Sequence, residues 1–205
     1  MNEYGLFEEK VEKKYSSKKT RSITFRLDVS VIENLQHDAD EKEISLNVLV
    51  NQILRKYTSW DKYSDKLGLI PMPKILLSTI IKNCLDISKE KGIKDIEAYK
   101  KILIKQAATS TFEILKDAVL FMKNDYNLWT VLEILHEYMK SAGINSDHKI
   151  EDHDIRKHIF IIQHELGSIW SEFSEELLKM IFEKLANTRI KTKTTNSTIV
   201  AEVEL

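Results

Sequence analysis

The alternation of polar and apolar residues predicts a short strand near the start of the chain. From Ser22 to Leu27 the two kinds alternate, so that Ile23, Phe25 and Leu27 share one face. A period of two is the pattern of a strand with one face buried. The opposite face would carry Ser22, Thr24 and Arg26.

Two amphipathic helices are predicted directly after this strand. Asp28 or Ser30 can cap the first, which carries apolar residues at helical spacing and ends near Lys42 and Glu43. Ser45 can cap the second, whose apolar stripe comprises Leu46, Leu49, Val50, Ile53, Leu54 and Tyr57.

One strand and two short helices bury too little surface to be stable alone, and the strand leaves both edges open. Pairing two chains removes both problems, because their strands form an antiparallel ribbon and their helices close one core. A two-stranded ribbon fits the major groove of B-DNA.

Residues 21–58 contain the segment RSITFRLDVSVIENLQHDADEKEISLNVLVNQILRKY. This segment resembles the ribbon-helix-helix DNA-binding proteins of the MetJ/Arc/CopG superfamily. Arg26-Leu27-Asp28 is similar to the Arg-Leu-Pro that usually follows the family's strand. The stretch beginning EISLNV is similar to its second helix. Two positions depart from the family: Asp28 replaces Pro, and Glu43 stands where Gly is common. Since a left-handed residue other than glycine costs about 1 kcal/mol or more, we expect a different turn geometry at Glu43.

The resemblance implies roles in DNA binding for particular residues. Ser22, Thr24 and Arg26 match the positions that read bases, and an arginine can donate two hydrogen bonds to guanine. The N-terminus of the second helix matches the site that grips a phosphate. This site comprises Ser45 and the backbone N–H groups of Leu46 and Asn47.

The charge distribution adds a basic arm to this interpretation. The whole chain has a formal net charge of −1, which argues against nucleic acid when taken alone. Between Lys10 and Arg26, however, seven basic residues stand against one acidic residue. Lys18, Lys19 and Arg21 are expected to contact DNA phosphates and add salt-dependent affinity.

We divide the chain into a flexible basic arm (1–20), a ribbon-helix-helix domain (21–58), a linker (59–72) and an α-rich domain (73–205). The linker ends near the only two prolines, Pro71 and Pro73. The α-rich domain carries successive helical stripes, then a strand over about 150–164, a helix from Leu166 to Leu185 and a hairpin from Ile190 to Leu205. The predicted fold class is therefore mainly α with minor β, with a small antiparallel sheet near the C-terminus. We attach no chemistry to the local motif HELGSIWSEF (164–173).

Four histidines fall within 17 residues: His148, His153, His158 and His164. Imidazoles beside aspartates can bind a divalent ion, but no HxH or HxxxH pair anchors a site here. On a single strand, His158 and His164 would share a face at too great a separation for one ion, and His153 would point away. We expect a polar, solvent-facing segment and no metal, with these four residues as weak candidates.

The remaining composition excludes several classes of protein. One cysteine forms no internal disulfide and suits a reducing cytoplasm. No apolar stretch approaches the roughly 18 residues of a membrane span. GxGxxG, P-loop, GxSxG and HExxH motifs are absent, so neither an enzyme nor a cofactor is expected.

The sequence thus predicts a cytoplasmic, dimeric transcriptional regulator that binds double-stranded DNA. Its larger domain would add oligomerisation or bind a small-molecule or protein effector. Two alternatives stay open: an antitoxin-like or other protein-interaction module, and a metal or ligand sensor with DNA binding as its output.

Overall fold

The computed structural model describes residues 20–64, 66–68, 72–151 and 154–205. The chain separates into two compact units, with the division between Gln52 and Ile53. Each unit is described by itself below.

The first unit contains the two predicted helices, α1 (Val29–Glu41) and α2 (Leu46–Lys56), of which α2 continues past the division. Residues 20–28 have no regular secondary structure, so the expected strand over Ser22–Leu27 does not form in the single chain. A strand requires a hydrogen-bonding neighbour, and the described part of this unit offers none. The two predicted helices are confirmed, whereas the paired ribbon stays a prediction.

The turn between α1 and α2 is left-handed at Glu43, so the different turn geometry predicted from the sequence is wrong. Glu43 has a φ of 53°. Its N–H donates to the Asp40 carbonyl at 3.0 Å, and the N–H of Ile44 donates to the Ala39 carbonyl at 3.0 Å. These two bonds form a Schellman motif, which satisfies the last carbonyls of α1 and offsets the strain at Glu43.

The segment predicted as a linker begins with structured residues. A π-helical turn, Tyr57–Asp61, follows α2 and leads into a short α3 (Lys62–Ser64). Trp60 is buried in the core of the second unit, with its ring 5.5 Å from that of Tyr138. A π-helical turn shifts side chains around the helix axis, and here it accompanies the burial of the indole.

The second unit continues with three helices: α4 (Leu76–Glu90), α5 (Ile96–Lys123) and α6 (Leu128–Ser141). Helix α5 runs without interruption for 28 residues. Asn127 caps α6 by accepting hydrogen bonds from the N–H groups of Trp129 and Thr130.

A four-stranded antiparallel sheet and one long helix complete the second unit. The strands are β1 (Asn145–Glu151), β2 (Asp154–Gln163), β3 (Lys191–Thr194) and β4 (Thr198–Glu204), in the order β1-β2-β4-β3. Helix α7 (Ser168–Ala186) lies between β2 and β3 in sequence. The predicted helix and C-terminal hairpin are confirmed, and β2 confirms a strand within 150–164. Its predicted start near Ile150 is wrong, because Ile150 and Glu151 belong to β1, which pairs with β2.

The core of the second unit lies between the helices and one face of the sheet. Phe160 and Ile162 of β2, and Ile199, Ala201 and Val203 of β4, face this core. Phe182 and Ile181 of α7 are completely buried. The protein is therefore mainly helical with a small sheet, as the sequence predicted.

In the described part of the chain, no helix combines the length and the apolar character needed to cross a bilayer.

Candidate functional site

The three expected base-reading residues lie in the irregular segment before α1. Ser22, Thr24 and Arg26 are all exposed, and so are their apolar neighbours. Ile23 is 73% and Phe25 is 58% exposed, fractions that are unusual for large apolar side chains. The polar residues are available to a ligand, while the apolar ones lack the burial that their pattern predicts.

Other apolar side chains of the first unit are also open to solvent. Among its described residues, only Ala39 and Leu49 are fully buried. Five further apolar side chains are each more than 40% exposed: Leu27, Val29, Val31, Ile32 and Val48. A unit of this size with so small a core needs additional contacts for stability.

The predicted phosphate site has the local geometry of a capped helix start. The Ser45 Oγ accepts a hydrogen bond from the N–H of Val48 at 3.3 Å, and the Ser45 carbonyl accepts from Leu49 at 3.1 Å. Within the described residues, the N–H groups of Leu46 and Asn47 donate to no protein acceptor. Two free donors and the positive end of the helix dipole make this end suitable for an anion.

Arg21 is exposed in the same irregular segment. The other two expected phosphate contacts, Lys18 and Lys19, lie outside the described residues.

The hairpin β1–β2 brings two of the four clustered histidines together. The Nε2 of His148 lies 2.9 Å from the Nδ1 of His158. Their ring planes differ by 9° and their centroids are 5.1 Å apart, so the rings lie side by side with the two nitrogens facing each other. His148 also stacks on Phe160 at 4.3 Å, and the Trp129 ring of α6 approaches both imidazoles.

This geometry is that of a shared hydrogen bond. A tetrahedral ion bonded to both nitrogens at about 2.0–2.1 Å would hold them about 3.3 Å apart, further than the hydrogen-bond distance found here. His164 is bonded elsewhere, and His153 lies outside the described residues. Burial of His158 and His164 shows that the expected solvent-facing segment is wrong for these two residues.

His164 fastens the corner between β2 and α7, which gives the HELGSIWSEF motif a structural role. Its Nδ1 accepts a hydrogen bond from the N–H of Leu166 at 3.1 Å, so the neutral ring carries its proton on Nε2. That proton is donated to the Ser171 Oγ at 2.9 Å, and Ser171 donates to the Thr195 carbonyl at 2.6 Å. Because the imidazole is the donor to Ser171, it cannot act as a base toward that hydroxyl.

The three described histidines of this region have lowered pKa values. Loss of solvent around the ring lowers the pKa of His148 to about 4, and the neighbouring His158 contributes to this lowering. Asp147 has a smaller, opposing effect. Burial also lowers the pKa values of His158 and His164. All three rings are therefore neutral at pH 7.

A groove of about 330 Å³ lies between α5 and α7, and its charges are balanced and mostly paired. Lys179 lies 2.7 Å from Glu175, which also accepts hydrogen bonds from Thr192 and Thr194. Lys100 lies 2.9 Å from Glu172. The Lys100–Glu172 pair joins α5 to α7, whereas the Lys179–Glu175 pair lies within α7, and together they leave the groove without a distinct ligand chemistry.

Among the described residues, one group of three side chains that could bind a metal ion lies on α1: His37, Asp38 and Glu41. All three are exposed, and such surface groups commonly hold no ion.

No family model matches the chain, and a search of curated proteins found no match.

Proposed function

We propose that the first unit is a ribbon-helix-helix module that binds double-stranded DNA as a dimer, and that the protein is a transcriptional regulator. The observation that supports this most strongly is the exposed apolar face of the first unit. Ile23, Phe25 and Leu27 keep the alternation of a strand, yet have no core to enter within one chain.

A second copy would supply the missing partner for this segment. The strands of two copies would pair antiparallel, bury these three side chains and turn Ser22, Thr24 and Arg26 to the opposite face. Burying a large apolar side chain contributes about 1.5–3 kcal/mol, so six such side chains in the dimer would offset much of the ordering cost.

The opposite face of the ribbon would enter the major groove. Arg26 would donate two hydrogen bonds to a guanine, and Thr24 would contact a base edge or a thymine methyl. The free N–H groups at the start of α2 would hold a backbone phosphate, and the basic arm would add phosphate contacts.

The dimer's two-fold symmetry predicts an inverted repeat in the operator. The test is selection of bound duplexes from a random pool at a stated salt concentration. Recovery of an inverted repeat supports the proposal, and recovery of unenriched sequences contradicts it.

The dimer itself is tested by sedimentation equilibrium of the full chain. We expect wild type to be a dimer and Phe25→Ser to dissociate to monomers. Phe121→Ser provides a matched control, because Phe121 is 53% exposed on α5, outside the proposed interface. Equal behaviour of the two variants would contradict the role of the ribbon.

A further inference from the structure

The His148–His158 pair joins an edge strand of the sheet to its neighbour. β1 is an edge strand that pairs with β2 alone, and its register is irregular between Ile150 and Glu151. Most of its residues are exposed, with His148 among them, whereas His158 is only 7% exposed. The imidazole contact thus connects an exposed edge to the buried side of the sheet.

Only one proton fits between the two facing nitrogens. In the neutral pair one ring donates and the other accepts across 2.9 Å. A first added proton can enter on the outer nitrogen of the donor ring and leave this bond intact. A second would occupy the accepting nitrogen, so that two N–H groups and two positive charges would face each other.

Few charged groups face the pair to compensate for added protons. On β1, Asp147 raises the pKa of His148, but burial of the ring and the nearby His158 lower it by more. On β2, Phe160 stacks on His148, and across the sheet His158 pairs in register with Val203 of β4. From α6, Trp129 covers both rings, and His136 lies 2.7 Å from Ser146 of β1. Among these described neighbours, Asp147 carries the only negative charge.

We propose that the His148–His158 pair is an acid-sensitive latch, whose double protonation releases the edge strand β1 from β2 and α6 while the rest of the second unit stays folded. The charge on His158 would lie in an apolar site and drive this local opening. The inference does not depend on DNA binding.

The size of the effect follows from linkage. If the pKa of His148 moves between about 4 in the closed strand and 6.5 in the open strand, the opening equilibrium at pH 4.5 rises about 60-fold relative to pH 7.0. Because His148 is exposed, solvent screening reduces this effect, and we expect at least a roughly 10-fold rise.

Hydrogen–deuterium exchange of the full chain at pH 7.0 and about pH 4.5, corrected for intrinsic exchange rates, tests the latch. In wild type, opening of the β1 amides should rise about 10-fold or more at acid pH, while those of β4 and α7 stay protected. His148→Gln retains an amide donor for His158 without titrating and leaves His158 as the one titrating ring of the pair, so it should lower the rise several-fold. His37→Gln removes an exposed imidazole of α1 and should behave as wild type.

A second variant, His148→Phe, keeps the stacking on Phe160 and should likewise lower the rise several-fold. The proposal is overturned if β1 opening is independent of pH in wild type. It is also overturned if the folded His148 variants keep the full wild-type rise, or if β1, β4 and α7 lose protection together. Should neither variant fold, equal acid loss of protection in β1 and β4 of wild type would reject the latch, and selective loss in β1 would support it.

Discussion

Two buried serines on α7, one turn apart, offer a matched test of the corner formed by HELGSIWSEF. Ser171 is 1% and Ser174 is 2% exposed. Ser171 accepts from His164 and donates to the Thr195 carbonyl, whereas the Ser174 hydroxyl has no hydrogen-bond partner among the described residues. The same change to alanine should therefore have opposite effects at the two positions.

The expected magnitudes follow from the groups left behind. Ser171→Ala leaves the Nε2–H of His164 and the Thr195 carbonyl without partners, at about 1–3 kcal/mol each. Alanine regains about 0.5 kcal/mol of helix propensity, so we expect a net loss of about 1.5–5.5 kcal/mol. Ser174→Ala removes an unsatisfied buried hydroxyl and should raise stability by about 1 kcal/mol. Since the propensity change is shared, it cancels in the difference between the variants.

Urea unfolding at pH 7.5, followed by tryptophan fluorescence, measures both values. One of the three tryptophans, Trp170, lies at this corner, with its ring 4.5 Å from that of His164. Equal changes in the free energy of unfolding for the two variants, or a stable Ser171→Ala protein, would refute the hydrogen-bonded role of His164 and Ser171.

Three further predictions concern the turn, the pH dependence of stability and the dimer. Glu43→Gly should stabilise the first unit by about 0.5–1 kcal/mol, because φ at this position is 53°; denaturant unfolding at fixed protein concentration measures this change. The pKa values of His148, His158 and His164 are lower in the folded protein, so their stabilisation is present above pH 6.5 and declines as the pH falls toward 4. Unfolding curves across this range should show that decline, and His164→Gln should make it shallower. In sedimentation equilibrium, Phe25→Ser should yield monomers while Phe121→Ser remains dimeric.

The helices were predictable because their apolar spacing and caps are encoded locally. Ser45 and the stripe of α7 both mark elements that formed where the pattern placed them. The strand at Ser22–Leu27 depends instead on a partner outside the chain, and local alternation cannot form it alone.

The β1–β2 hairpin was missed for a different physical reason. β1 is polar and almost wholly exposed, so it lacks the apolar alternation that identifies a strand. Because β1 and β2 pair antiparallel, His148 lies beside His158, a contact that the spacing of the two histidines along one strand could not indicate.

The role of His164 could not be predicted either, because it depends on a contact with Ser171 and the Thr195 carbonyl. At Glu43, the Schellman hydrogen bonds prevailed over the residue's conformational preference.

The most direct test of DNA recognition is the anisotropy of a labelled duplex carrying the selected inverted repeat, compared with a scrambled duplex at the same salt concentration. Wild type should prefer the selected duplex. Arg26→Ala should lose about 1–3 kcal/mol of that preference for each half-site. Arg189→Ala, which removes the same charge from an exposed position in the second unit, should retain it. If wild type and Arg26→Ala bind both duplexes with the same affinities, the proposed reading of DNA through the ribbon is contradicted.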